Sequence, residues 1–433
     1  MGRTYRLLTA AAAITSLGNS GAMVAAAFAV LHSGGTATDV GLVAAARTIP
    51  LIAFLLIGGA VADRLPRHRV MAAANTLNCC SQATFAALVL TGTPPIWQMA
   101  LLAALGGTGQ AFFAPAAEGM LLSCVPREQA SRAFASFRIG VNGATITGAA
   151  LGGALTAYAG PGWVLAADAT AFALAAALRS ALHTNDIPPR THRSKTLLQD
   201  LHEGWQEVAD RRWLWVIISQ FAIVNAAFAA TQSVYGPLVA REHLGGAATW
   251  GTALAAFGAG TLLGALLMTR WKPRRMLLVG ACGSLMAALP PAALATTLPP
   301  PALAATMTAS GIGVEIFAVT WMTALHQEIP ADKLSRVSSY DWLGSVGMVP
   351  IATALAGPIQ NLTGTPTALW GSTALITLLT LAALTVPDVR HLTRETAHTR
   401  IERQAAQPTT ARPLGARANP SQRAVPSPPP SRS

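Results

Sequence analysis

Leu51-Ile-Ala-Phe-Leu-Leu-Ile-Gly-Gly-Ala-Val-Ala-Asp-Arg-Leu-Pro-Arg-His-Arg69 passes from unbroken apolar side chains into a turn carrying three arginines. An apolar run of this kind is stable only when it is shielded from water, and the arginines that end it belong at a water-facing boundary. Read outward from here, the same alternation fills most of the chain. Apolar runs of roughly 20 residues are long enough to cross hydrocarbon. Twelve of them can be drawn, at about 7–32, 38–62, 70–91, 96–124, 133–158, 161–182, 213–237, 249–269, 276–297, 300–326, 336–361 and 365–386.

Composition agrees. Of 433 residues, 52% are hydrophobic and 11% charged, against about 25% charged in ordinary soluble domains; mean hydropathy is +0.44. So few charges cannot cover a soluble surface. A globular soluble enzyme, a disordered chain and a secreted disulfide scaffold are excluded, and the expected fold is all-α and integral to a membrane. The net charge of +12 would suit nucleic acid, but its placement between apolar runs argues for no nucleic-acid partner. Cys79, Cys80, Cys124 and Cys282 lie in or beside apolar stretches without metal-ligand spacing, so no metal and no cofactor is expected.

The first span follows Arg3 and Arg6, as a signal peptide would. It is longer than a signal core and more spans follow at once, so it reads as a retained helix. With the N-terminus inside, nearly all of the 30 Lys and Arg fall on the cytoplasmic side; Arg241 alone falls outside, and Arg47 and Arg138 lie within spans. By the positive-inside rule both termini are expected to be cytoplasmic, in a multi-pass protein of the cell membrane.

The chain divides into a six-helix half at 1–182, a connector at 183–212, a second six-helix half at 213–387 and a basic Pro/Ser-rich tail at 388–433 that is expected to be disordered. In the connector, Leu197, Leu198, Leu201, Trp205 and Val208 recur at helical spacing. This predicts an amphipathic helix lying on the membrane surface or packed as a linker on the bundle. The halves resemble each other at one offset of 204 residues. Phe113-Ala114 matches Phe317-Ala318, Pro126 matches Pro330, Ser131-Arg132 matches Ser335-Arg336, and Gly140, Gly143 and Gly153 match Gly344, Gly347 and Gly357. The basic turn recurs as Thr269-Arg-Trp-Lys-Pro-Arg-Arg275 at a slightly larger offset. A six-span unit repeated in parallel predicts two pseudo-symmetric bundles about an axis along the membrane normal, with a substrate cavity between them.

Gly58-Gly-Ala-Val-Ala-Asp-Arg-Leu-Pro-Arg-His-Arg69, placed after span two, resembles the signature turn of the major facilitator superfamily. Glu203-Gly-Trp-Gln-Glu-Val208 and Arg336-Val-Ser-Ser-Tyr-Asp-Trp-Leu-Gly-Ser345 resemble its bacterial drug and siderophore exporter branch, with an enterobactin-exporter-like pattern. The resemblance covers about residues 5–387. It implies twelve transmembrane helices in the major facilitator fold and proton-coupled transport of a small molecule by alternating access, without a cofactor. A monomer is expected. Two positions depart from the pattern: Asn19 stands where the export branch often has an acidic residue, and Gly148-Ala149 where its span-five motif has Gly-Pro.

Candidate site residues follow from the cost of charge in hydrocarbon. In the turn after span two, Gly59, Asp63, Arg64, Arg67 and Arg69 form a gating motif. There Asp63 can face the positive N-terminus of another helix; the resemblance implies that this helix is span eleven, where Asp341, about one turn in, can receive Arg64 or Arg67. Plain positive-inside anchoring is the other reading. Within spans, Glu315 and Glu118 are proton-carrier candidates, with Glu118 paired to Arg138 as the structural alternative. Asp168 is either a helix-packing group or a coupling site. Arg47 can attract an anionic substrate group or clamp a carboxylate. Gly143, Gly148, Gly152 and Gly153 form a small-residue stripe that suits close helix packing or a gating element. The function expected is efflux of a small lipophilic or amphiphilic compound. The alternatives are an importer of the same fold, a non-transporting receptor and a polytopic membrane enzyme; no metal cluster or nucleophile–base pair supports the last.

Overall fold

The structure, a computed structural model, describes residues 3–123, 130–180, 206, 208–329 and 331–393. In the first half six helices follow one another: α1 (Arg3–His32), α2 (Ala37–Arg64), α3 (Arg67–Thr91), α4 (Ile96–Ser123), α5 (Ala130–Ala159) and α6 (Pro161–Ser180). The second half has six rods, several of them interrupted: α7 (Arg212–Ala230) with α8 (Gly236–His243); α9 (Ala247–Arg270); α10 (Met276–Leu285) with α11 (Leu289–Ala295); α12 (Pro300–Glu328); α13 (Ala331–Gly347) with α14 (Val349–Thr363); and α15 (Thr365–Thr385). The short α16 (Pro387–His391) follows. Among the described residues, nine of these helices or rods are long and apolar enough to cross a membrane by length and composition. The remaining three, α3, α4 and α5, have the same length and pack among them.

Local chemistry sets the ends and the interruptions. Thr36 caps α2: its hydroxyl accepts from the Asp39 backbone at 3.4 Å, and the Asp39 carboxylate accepts from the Thr36 backbone at 2.8 Å, a reciprocal capping box. Between α7 and α8 the rod widens into a π turn, Thr231–Tyr235, in which the Gly236 N–H reaches the Thr231 carbonyl. Pro237 lacks a donor and would crowd the carbonyl four residues back, so the extra residue relieves it. Pro290 and Pro291 in span nine follow a single 3-10 turn, Met286–Ala288, and Pro350 in span eleven follows a turn at Met348.

The packing pattern of the first half recurs in the second. In the first, α2 packs on α4, α3 on α6 and on α4, and α1 on α5 and on α6. In the second, α9 packs on α12, α10 on α12, α11 on α15, and α7 on α13, α14 and α15. Each is the pairing six spans further on. Two seams join the halves, α5 against α9 and α2 against α14, and they too are related by a shift of six spans. Individual residues follow suit. Gly160 and Gly364, 204 residues apart, both take left-handed backbone (φ 93° and 83°) in the tight turns between spans five and six and spans eleven and twelve, where a Cβ is disfavoured. Gly153 and Gly357, matched in sequence, sit in the two seams: a Cβ on Gly153 would lie 2.7 Å from the Gly251 Cα, and one on Gly357 would collide with the Thr38 Cα.

The tail begins with order. Val389 of α16 is fully buried, and Thr393 bridges to Arg275. The core beneath it holds Trp213, Phe317 and Trp321 and includes Val208 from the end of the connector. Residues 183–205 and 207 of the connector, and the tail from 394, lie outside the described residues.

Candidate functional site

A cavity of about 370 Å³ lies between the halves, within the range of small-molecule sites. Its walls come from α1, α2, α3, α4 and α5 on one side and from the π turn, α8, α9 and α14 on the other. They are mostly apolar, with Trp250 and Phe257 supplying aromatic surface, and the polar groups Arg47, Gln82, Asn142 and Gln232 project among them. The π turn places Gln232 and Ser233 at this wall, the kind of position where such turns recur.

One end of the cavity is closed by contacts between the halves. Gly153 meets Gly251 and the Ala247 carbonyl, Gly41 meets the Thr353 carbonyl, and Gly357 meets Thr38. Arg241 donates to the Leu31 carbonyl at 2.7 Å, and Asn361 donates to the Thr38 hydroxyl at 3.3 Å. All these residues lie toward the neutral end of the bundle, away from the basic turns.

Arg47 is held across three helices. Its Nη2 donates to Asn19 Oδ1 on α1 at 2.5 Å and to Gln110 Oε1 on α4 at 3.3 Å. Asn19, noted in the sequence for lacking a charge, is thus an acceptor for a guanidinium. Asp168 is 0% exposed. It lies against Gly18 of α1, and neither carboxylate oxygen has a hydrogen-bond partner among the described residues. Arg47 is the cation whose charge acts on it. Glu315 is half-buried on α12 beside Gly264 of α9, and the charge acting on it is Arg138 of α5, across the interface between halves. Arg138 itself is exposed. The pairing of Arg138 with Glu118 considered from sequence involves a side chain outside the described set.

The gating motif divides in the same way. The backbones of Gly59, Asp63 and Arg64 complete α2, and Arg67 opens α3, but their side chains lie outside the described set. Arg69 is exposed. Asp341 is half-buried, and its described hydrogen-bond neighbour is the Trp321 indole of its own half. The glycine stripe proves to be three contacts and a gap. Gly148 lies on the Leu17 carbonyl, Gly152 on Gly21 and Gly153 on Gly251, whereas a Cβ on Gly143 would meet nothing within 4 Å.

Sequence reasoning missed two features. Asn75, Asn78 and Gln82 form a buried row on α3, at most 6% exposed. Arg179, counted among the boundary arginines, is 1% exposed, with its guanidinium 4.5 Å from the Phe113 ring centre. The amides carry no charge to draw attention, although their spacing of three and four residues on an apolar helix was readable.

Matched helical bundles of membrane length around a cavity sealed at one end define a polytopic membrane transporter of small molecules. The model of the Major Facilitator Superfamily matches residues 8–348, and the chain belongs to that superfamily. It is a secondary transporter and not an enzyme. It is similar to the multidrug efflux pump Tap of Mycolicibacterium fortuitum, 28% identical over 411 residues that cover 89% of this chain and 96% of that one. Tap of Mycobacterium tuberculosis (strain ATCC 25618 / H37Rv) is 29% identical over 66% of this chain and 72% of its own length. Among solved structures, the nucleoside transporter NupG superposes with a TM-score of 0.71 at 12% identity, covering 89% of this chain and 99% of that one. A bacterial homologue of the iron transporter ferroportin, in its inward-facing state, gives 0.70 at 13% identity, covering 88% and 98%. At these identities the structures speak for the fold.

Proposed function

We propose that the protein is a proton-coupled exporter of small lipophilic or amphiphilic compounds, working as a monomer in the plasma membrane with both termini in the cytoplasm. The observation that carries this reading is the cavity: mostly apolar and aromatic walls, a few polar groups, contributions from both halves, and one end sealed by contacts between the halves. Such a lining accepts greasy molecules without demanding one hydrogen-bonding pattern. The similarity to multidrug efflux pumps supports export. The concentration of Lys and Arg at one end of the bundle supports the orientation, and the recurrent pairing of spans supports two halves at 1–182 and 213–387 that rock about the cavity. With the basic end inside, the sealed end faces outward and the cavity is in its cytoplasm-facing arrangement. The turn from Gly59 to Arg69 acts as a latch between halves at that face, with Asp341 as a gate partner. Glu315, Glu118, Arg138, Arg47 and Asp168 are the groups that bind substrate or carry the proton.

The test is flux in proteoliposomes across a panel of lipophilic cations, zwitterions and neutral compounds, with and without an imposed pH gradient. Gradient-driven accumulation of amphiphilic compounds is the expected result. Transport that ignores the pH gradient refutes proton coupling, and transport of polar solutes alone refutes the substrate class.

A further inference from the structure

The two halves share a scaffold but not an interior. In the second half, Gln220 of α7 donates to the Ser284 hydroxyl of α10 at 3.2 Å and to the Thr380 hydroxyl of α15 at 2.9 Å. One amide nitrogen thus ties three spans together directly. The first half has a comparable tie, Arg47 of α2 donating to Asn19 of α1 and Gln110 of α4, but among the described residues it leaves a set of other buried polar groups open. Asp168 leaves both oxygens without a partner, and Asn75 leaves its oxygen and nitrogen, Asn78 its oxygen and Gln82 its oxygen. All four side chains are more than nine-tenths buried. Buried polar atoms in folded proteins find partners, and where protein supplies none, ordered water does.

The placement gives these groups a direction. Asn75, Asn78 and Gln82 follow one another along one face of α3, and the Asn78 amide lies against Gly109 of α4. Counted from the basic end of that helix at 1.5 Å per residue, they lie roughly 12, 17 and 23 Å deep. Gln82 reaches the cavity wall. Asp168, on the adjacent α6, lies roughly 18 Å from the basic end of its own helix, at the level of Asn78. The charged and titratable groups that face it are few: Arg47 from α2 and Cys79 from α3. Helix α1 presents Gly18 to it, and the charge of Arg138 on α5 acts on Glu315. Arg47 meanwhile spends its described hydrogen bonds on Asn19 and Gln110, leaving the carboxylate oxygens of Asp168 open.

We propose that Asp168 is the proton-carrying group of this transporter, and that Asn75, Asn78 and Gln82 hold a file of water that conducts its proton to the basic end through the first half. The inference rests on the proton-coupled reading above and assigns it to one residue and one route. Hydronium in the file gives a proton to the carboxylate, forming one O–H bond and leaving water behind; the reverse step returns the proton to water. The neutral acid is tolerated in the apolar interior, and the anion is held by the charge of Arg47. Because Arg47 also lines the cavity, each change in Asp168 alters the field that a bound substrate meets.

The experiment uses full-length protein in proteoliposomes and reads two quantities. Substrate counterflow needs both openings of the cavity but no net proton movement. Proton flux driven by a substrate gradient is followed with an entrapped pH dye. Asp168→Asn should lower the ratio of proton flux to counterflow tenfold or more; Asn75→Leu and Asn78→Leu should slow proton flux several-fold with counterflow unchanged. A wild-type ratio in Asp168→Asn overturns the site, and wild-type proton flux in both leucine variants overturns the route. If wild-type protein shows counterflow without proton movement, the coupled reading itself falls, a result distinct from the other two. Should Asp168→Asn not fold, labelling of the wild-type protein by an apolar carbodiimide, which attacks protonated buried carboxyls, provides the second measurement. Asp168 should be modified at low pH and spared at high pH, and failure to label at any pH overturns the proposal.

Discussion

Substituting Gly153 by valine should hold the transporter away from the arrangement seen here. A Cβ at this position would stand 2.6 Å from the Ala247 carbonyl oxygen and 2.7 Å from the Gly251 Cα, where ordinary contact begins at 3.4 Å. The shortfall of nearly an ångström falls on backbone, which cannot turn aside as a side chain can. The α5–α9 seam must therefore open. Overpacking of this kind costs about 1–3 kcal/mol. Because the strain exists only while the seam is closed, it acts on the conformational equilibrium and shifts it roughly 5- to 150-fold toward separation at the neutral end. Spin labels at Thr93→Cys and Thr296→Cys, exposed turn positions in opposite halves at that end, on a background without the native cysteines, would read the change as a longer distance distribution. Net flux should fall in parallel. Gly143→Ala is the internal control: it lies on the same helix in open space, so it should leave both readouts unchanged and gain slightly in helix propensity. Equal behaviour of Gly153→Val and Gly143→Ala in folded protein refutes the assignment of the seam as a closing surface.

Three further outcomes are expected. Arg47→Ala strips Asn19 and Gln110 of a charged donor at the cavity wall. With each such bond worth about 1.5–3 kcal/mol, substrate flux should drop at least tenfold; flux within twofold of wild type rejects a role for the arginine at the site. Gln220→Ala leaves the Ser284 and Thr380 hydroxyls without their shared donor and opens a small void, so thermal unfolding in detergent should shift down by the equivalent of about 2–3 kcal/mol, while transport by the folded fraction persists. Asp63→Asn should slow turnover several-fold more than it weakens substrate binding; unchanged turnover dismisses the latch.

The spans were legible because lipid imposes a single solution on the backbone: every N–H and C=O must be satisfied within the segment, so an apolar run of the right length becomes a helix. The expected span at 300–326 is α12 at Pro300–Glu328, and that at 96–124 is α4 at Ile96–Ser123. The interruptions were not legible to the same degree. Pro237 and Pro350 signal a break, but whether it resolves as a π turn or as a turn between helices depends on what packs beside it. Arg47 and Asp168 stood out singly because charge in an apolar run is conspicuous. Their surroundings did not, because Asn19, Gln110 and the α3 amides come from different spans and meet only through the packing of α1, α2, α3, α4 and α6. Arg179 was misjudged for the opposite reason: a basic residue at a span's end is ordinarily anchored in water, and here the face of α6 that carries Asp168 inward also carries Arg179 inward, about three turns further on.

A duplicated scaffold gives each half the same seams, the same tight glycine turns and the same order of neighbours, and this symmetry is what allows one cavity to be sealed at either end by equivalent surfaces. Transport against a gradient needs more than symmetry, because two identical halves would have no reason to tie a proton to one opening and substrate to the other. The sequence breaks the symmetry where it matters. Each half ties three spans with one side chain, Gln220 with Ser284 and Thr380 in the second and Arg47 with Asn19 and Gln110 in the first, but among the described residues the first alone adds a fully buried acid with both carboxylate oxygens unpartnered. A chain selected only to be a stable bundle would not keep Asp168 there, because a carboxylate without a partner in hydrocarbon is among the costliest groups a fold can carry. The arrangement is intelligible if the repeated bundles supply the motion and the divergent interior of the first supplies the coupling.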